Sequence, residues 1–79
     1  MSISANKIEA KASEVWFDND MIHVRLLDGR EIGVPLEWFP KLRDATSTQR
    51  KKWRLIGQGY GIHWEDLDED ISVAALLAV

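Results

Sequence analysis

The chain has 79 residues, 10 Lys and Arg against 13 Asp and Glu, a formal net charge of -3, and 46% hydrophobic residues. That length admits one domain, and the balance is globular, which excludes a disordered acidic tail, a collagenous repeat and a strongly basic nucleic-acid module. Cys is absent, which removes disulfides and thiolate zinc sites and fits a reducing cytoplasm.

Met1-Ser2-Ile3-Ser4 opens a polar stretch with no charged region leading into an apolar one. The longest apolar run, Val73 to Val79, is seven residues, against the roughly 20 that a membrane helix needs. The expectation is a cytoplasmic chain without membrane contact. It forms a single small domain over 1–79, with 1–12 as a loose arm able to add a short strand.

From Val15 the pattern changes. Val15-Trp16-Phe17, Met21 to Leu27 and Ile32 to Val34 are short β-forming runs, separated by Asp18-Asn19-Asp20 and Asp28-Gly29. Such spacing predicts an antiparallel meander. A two-residue Asn19-Asp20 turn places Phe17 opposite Ile22 and Val15 opposite Val24, which pairs apolar with apolar. A two-residue Asp28-Gly29 turn places Leu26 opposite Glu31. A three-residue loop over 27–29, with Gly29 left-handed, instead sets Val24 against Ile32 and Ile22 against Val34, and is preferred. One face then holds Val15, Phe17, Ile22, Val24, Ile32 and Val34. The other holds Trp16, Met21, His23 and Arg25.

Pro35 and Pro40 confine 36–39 to a short turn. Thr46-x-x-Gln49 is a capping-box pattern for a helix over 47–54, with a thin stripe of Leu42, Ala45, Gln49, Trp53 and Ile56. Residues 55–64 read as a strand with Ile56, Tyr60, Ile62 and Trp64 on one face and Gly57, Gly59, Gly61 and His63 on the other. This strand either joins the meander or forms its own hairpin. A final helix over 73–79, capped by Ser72, is apolar all round and must be covered by the sheet or by a partner. The fold class is α+β: an antiparallel sheet of three or four strands with short helices packed on one face.

The motifs are weak as chemistry. Asp66-x-Asp68-x-Asp70 opens like a calcium loop, but Ile71 stands where Gly is needed and Leu77 where a bidentate Glu is needed. A solvated acidic turn is the preferred reading. Gly57-x-Gly59-x-Gly61 lacks the third Gly of a dinucleotide fingerprint and the Gly-Lys-Ser/Thr of a phosphate loop. His23 and His63 are too few and too far apart for a zinc set, and no Gly-x-Ser-x-Gly elbow is present. No catalytic residue, metal ligand or cofactor is assigned.

Lys41, Arg43, Arg50, Lys51, Lys52 and Arg54 form a basic run around Trp53 against one acid, Asp44, and Glu65 to Asp70 form an acidic run. A solvated helix face is the preferred reading of the basic run; the two runs can also attract one another within the fold or fix orientation across a dimer. The chain carries four Trp; Trp38, Trp53 and Trp64 are expected mostly in the core, and Trp16 on the surface.

Leu27-Asp28-Gly29-Arg30, Trp38-Phe39-Pro40-x-Leu42, Trp53-x-Leu55-Ile56-Gly57-x-Gly59-Tyr60-Gly61-Ile62-His63-Trp64 and Leu67-Asp68-Glu69-Asp70-Ile71-Ser72 run in order from about 12 to 77. Together they resemble the family of domains of unknown function numbered 2442. The resemblance implies a small bacterial α+β domain without assigned activity. Some relatives carry an added helix-turn-helix, and free-standing ones are suspected of toxin–antitoxin-like pairings. This chain ends at Val79 without such a helix-turn-helix, which sets direct DNA binding behind protein binding.

The functional expectation is a non-catalytic module that binds a protein partner, or itself, through Trp16, Met21, His23 and Arg25 or through Leu76 and Leu77. The second reading is nucleic-acid-linked regulation through Arg50, Lys51, Lys52 and Arg54. The third is a small enzyme or ligand binder using Asp68, Asp70 and His63 beside the glycine face.

Overall fold

A computed structural model of the chain describes residues 10–77. The elements in order are β1 (Ala12–Phe17), β2 (Met21–Leu26), β3 (Glu31–Pro35), a 3₁₀ turn at Leu36–Trp38, α1 (Pro40–Arg43), α2 (Ser47–Arg50), β4 (Trp53–Ile56), a second 3₁₀ turn at Gly57–Gly59, β5 (Gly61–Trp64), β6 (Glu69–Ser72) and α3 (Val73–Leu77). They build two three-stranded antiparallel sheets, β1-β2-β3 and β4-β5-β6.

The first sheet has the register that apolar pairing dictates. Phe17 faces Ile22, Val15 faces Val24, Ile22 faces Val34 and Val24 faces Ile32. The loop over 27–29 closes with the Leu26 N–H donating to the Arg30 carbonyl at 2.7 Å. Gly29 sits there at φ +95°, a conformation that L side chains resist. Ser13 is bulged, since Ala12 pairs with Leu26 but Glu14 with Arg25. Of the expected loose arm, residues 1–9 lie outside the described residues. Ala12 is buried in β1, and the Lys11 carbonyl accepts from the Leu27 N–H at 3.0 Å.

The second sheet departs from the expectation of one strand over 55–64. Gly57, Gln58 and Gly59 all have positive φ, at 58°, 62° and 99°, so the chain reverses there. β4 and β5 form their own hairpin, with Leu55 opposite Ile62 and Ile56 opposite Gly61. Ile56 consequently lies on the outer face over Gly61, not beside Ile62 and Trp64. Tyr60, in the turn, is exposed. A Cβ on Gly59 would lie 2.9 Å from the Ala12 carbonyl oxygen; this glycine lets the second sheet's turn abut β1. The Val73 N–H donates to the Tyr60 carbonyl at 3.0 Å and seats α3 on the same corner.

The helix expected over 47–54 is a single turn, α2. Its capping box forms as the sequence predicts: Gln49 N–H donates to Thr46 Oγ1 at 3.1 Å, and Thr46 N–H to Gln49 Oε1 at 2.9 Å. The far ends of both short helices are closed by side chains from elsewhere. The Arg50 guanidinium donates to the Leu42 and Arg43 carbonyls at the end of α1, at 2.8 and 2.7 Å. The Trp64 indole N–H donates to the Arg50 carbonyl at the end of α2, at 3.0 Å. Terminal helix carbonyls have no partner within the helix, so these bonds end α2 and free Trp53 to pair with Trp64 in the sheet.

One core joins the inner faces: Val15, Ile22, Val24, Leu26 and Val34 from the first sheet, Ile62, Trp64 and Ile71 from the second, Leu36 and Leu42 from the connecting turns, and Val73 and Leu76 from α3. Trp64 is fully buried and Trp53 half-buried, but Trp38 is 61% exposed, against the core position expected for it. In a 3₁₀ turn residues i and i+3 share a side. Leu36 and Phe39 take the inward side, and Trp38 faces out. α3 packs against β3 and β6 and buries Val73 and Leu76 there; residues 78–79 of the expected helix lie outside the described residues. No helix among the described residues is long and apolar enough to cross a membrane.

Candidate functional site

Three clusters of chemistry-bearing side chains emerge. The first is the outer face of β1-β2-β3. There the Trp16 and His23 rings stack at 5.5 Å, and the Arg25 guanidinium lies 5.4 Å from the Trp16 ring. Met21 and His23 lean over Gly33, whose missing side chain makes the room. Arg25 also pairs with Glu31 at 2.6 Å and Glu14 at 3.6 Å. The fold thus brings together Trp16, Met21, His23 and Arg25, but they satisfy one another. Leu76 is only 7% exposed, which takes it off the surface; Leu77 is half-buried against the core.

The second cluster is the outer face of β4-β5-β6. Arg54 is opposite His63 and His63 opposite Asp70. His63 Nδ1 contacts Asp70 Oδ1, and Nε2 lies 3.4 Å from Glu65, which also meets Arg54 at 3.2 Å. Both ring nitrogens are therefore occupied by carboxylates. Asp68 is not part of this group; its backbone carbonyl accepts from Lys41 Nζ at 3.0 Å. The β4–β5 register carries the acidic run beside the basic one, with Lys52–Asp66 at 3.3 Å and Lys41–Glu69 at 3.9 Å. Of the four basic candidates, Lys52 and Arg54 are thus neutralised and Arg50 is committed to the end of α1.

The third is a cleft of about 450 Å³ between β1 and the α2–β4 segment, lined by Val15, Trp16, Phe17, Asp18, Asn19, Ser47, Arg50, Lys51 and Trp53. The Phe17 ring stands edge-on to Trp64 at 6.3 Å, and the Arg50 guanidinium lies 5.8 Å from it. β1 is an edge strand. Asp18 N–H bonds to the Met21 carbonyl at 3.1 Å, and Trp16 faces His23 in the ladder. Val15 and Phe17 therefore turn their backbone groups away from β2, although Val15 as a whole is buried. No described residue hydrogen-bonds to those groups.

The electrostatics of this cleft are one-sided. Its lone carboxylate, Asp18, is tied down: Oδ1 accepts from the Asp20 and Met21 amides at 2.9 Å each, and Oδ2 lies 2.7 Å from His23 Nε2. The His23 ring, and then the Asp20 and Met21 amides, hold its carboxyl below the ordinary value. Among the described residues, the cations Lys11, Arg50 and Lys51 have no carboxylate within 4.0 Å, and two of these three line the cleft. Phe17, Ser47 and Trp53 belong to this site without having been singled out as surface. Their only signal in the sequence was that they flank a strand edge and a basic turn.

The fold and the site describe a small α+β domain of two three-stranded sheets with an aromatic, basic cleft beside β1. The model of the family described as protein of unknown function (DUF2442) matches residues 12–79, and the chain belongs to that family. Among solved structures, the chain is similar to a protein of unknown function from Rhodospirillum rubrum ATCC 11170, with a TM-score of 0.73, 32% sequence identity, and 85% of this chain and 83% of that chain covered. No curated protein matches the chain.

Proposed function

We propose that the chain is a non-catalytic cytoplasmic interaction module that holds a protein partner in the cleft between β1 and α2–β4. The observation that supports this reading is the coincidence, in one concavity, of aromatic rings and of two cations, Arg50 and Lys51, without a carboxylate partner among the described residues. Aromatic and Arg side chains are enriched among the residues that dominate binding energy. The alternative chemistries have less support. His63 has both ring nitrogens engaged, with no nucleophile bonded to it, and the basic run is mostly neutralised within the fold.

Ser47 is exposed, lines the cleft and begins α2, so Ser47→Tyr fills the concavity without touching the core. The full chain is immobilised in lysate, and its mass in solution is measured by light scattering. A partner held by the wild type and lost by Ser47→Tyr at unchanged melting temperature is the expected result. A strict monomer that retains nothing, or a partner retained equally by both, refutes the reading.

A further inference from the structure

We infer that Asp28-Gly29 is a modification site, at which the Gly29 amide attacks the Asp28 carboxyl and converts the residue to isoaspartate, and that Arg30 holds this reaction back in the folded chain. The sequence sets the chemistry. Asp28-Gly29 is the one Asp-Gly step in the chain, and no Asn-Gly step occurs. Glycine has no Cβ to shield its amide nitrogen or to restrict the rotation that brings this nitrogen to the carboxyl. The step lies in the three-residue loop over 27–29. Asp28 and Gly29 are both exposed, and no atom of the described residues stands within 4 Å of a Gly29 Cβ position.

The reaction needs only water. The Gly29 nitrogen bonds to Asp28 Cγ, the Cγ–OH bond breaks, and the amide proton and the hydroxyl leave as water. Solvent water then opens the resulting succinimide at either carbonyl. One opening restores aspartate; the other routes the main chain through Cβ and Cγ, which is isoaspartate. The first step requires a neutral carboxyl, because a carboxylate is a poor electrophile, and a Gly29 nitrogen free to move. The folded turn opposes both. Gly29 N–H donates to the Leu26 carbonyl at 3.0 Å. Asp28 Oδ1 accepts from the Arg30 N–H at 3.0 Å, and Oδ2 from Arg30 Nε at 2.8 Å. The Arg30 amide, and then its guanidinium, hold the Asp28 carboxyl below the ordinary value, so it stays ionised at neutral pH.

The product cannot rebuild this turn. Isoaspartate adds one carbon to the main chain of a loop whose ends are joined by the Leu26 N–H and the Arg30 carbonyl at 2.7 Å. It also turns into an amide the carboxyl that Arg30 grips. This loop sets the β2–β3 register, and the Leu27 N–H within it bonds to the Lys11 carbonyl, so the change reaches both neighbours of β2.

The test ages the full chain at neutral pH and physiological temperature. Isoaspartate is read from the tryptic peptide Leu26–Arg30 by chromatography and by its resistance to a protease that cuts before aspartate. Isoaspartate should accumulate at residue 28, at least about tenfold faster in the urea-denatured chain than in the folded one. Arg30→Ala and Arg30→Lys, which both lose the Nε bond, should isomerise about three- to tenfold faster than the folded wild type. Thr46→Ala, which loosens the chain away from this loop, should keep the wild-type rate. A denatured chain that forms no isoaspartate at residue 28 overturns the modification site. Equal rates in folded and denatured wild type, Arg30 variants no faster than wild type, or a Thr46→Ala rate that matches theirs each overturn the protective role of Arg30.

Discussion

Trp64 and Trp38 provide the sharpest test of the fold, because both read as core in the sequence and the structure separates them. Trp64 is fully buried, meets Phe17 edge-on, and donates its indole N–H to the Arg50 carbonyl at 3.0 Å. Trp38 is 61% exposed on the outer side of a 3₁₀ turn. Replacing a buried Trp by Ala costs about 3–5 kcal/mol. Phe keeps a ring, so about half of that is lost in Trp64→Phe, roughly 2 kcal/mol. The stranded Arg50 carbonyl adds about 1 kcal/mol. A total of about 3 kcal/mol is large against the roughly 4–12 kcal/mol expected for a domain of this size, and it corresponds to a fall in Tm of about 12–24 °C. Trp38→Phe removes little buried area and should stay within about 0.5 kcal/mol. Urea unfolding followed by far-ultraviolet circular dichroism measures both, since removing an indole alters fluorescence directly. Equal losses in the two variants, or a larger loss in Trp38→Phe, would refute the placement of both rings.

Gly59→Ala should cost well over 1 kcal/mol, since it combines positive φ with a 2.9 Å approach to the Ala12 carbonyl, whereas Gly29→Ala, with open space around it, should cost only the backbone term of about 1 kcal/mol. Comparable Tm shifts for the two would show that the Gly59 turn does not press on β1. Thr46→Ala removes one half of the capping box and should cost about 1 kcal/mol in urea unfolding; a neutral result would mean that α2 is held by the Arg50 and Trp64 bonds alone. Asp18 has a lowered folded pKa. Its stabilising contribution is therefore present above the ordinary carboxylate value and is lost as pH falls through the folded value. Asp18→Asn should flatten the acid limb of the stability–pH curve, and an unchanged limb would remove Asp18 from that role.

The chain's first half was legible because its information is local. Alternation of Val15, Phe17, Ile22, Val24, Ile32 and Val34, with turn residues at 18–20 and 28–29, admits one apolar register, and a one-residue slip would expose the whole set. The left-handed Gly29 and the Thr46–Gln49 capping box follow from the same short-range chemistry. The family resemblance also stood in the order of the Trp, Pro and Gly motifs.

What the sequence could not decide was how the second sheet folds and what it meets. The three left-handed residues at 57–59 reverse the chain, which moves Ile56 to the outer face and exposes Tyr60. The β4–β5 register then lays the acidic run against Lys52 and Arg54, while Lys51 has no carboxylate partner among the described residues and Arg50 bonds to the carbonyls ending α1. Trp64 and Arg50 close helices distant in the chain, and Leu76 is buried because α3 packs on β3 and β6. Each of these outcomes depends on groups far apart in sequence satisfying one another's hydrogen bonds and apolar surface, an energy that no local pattern of residues carries.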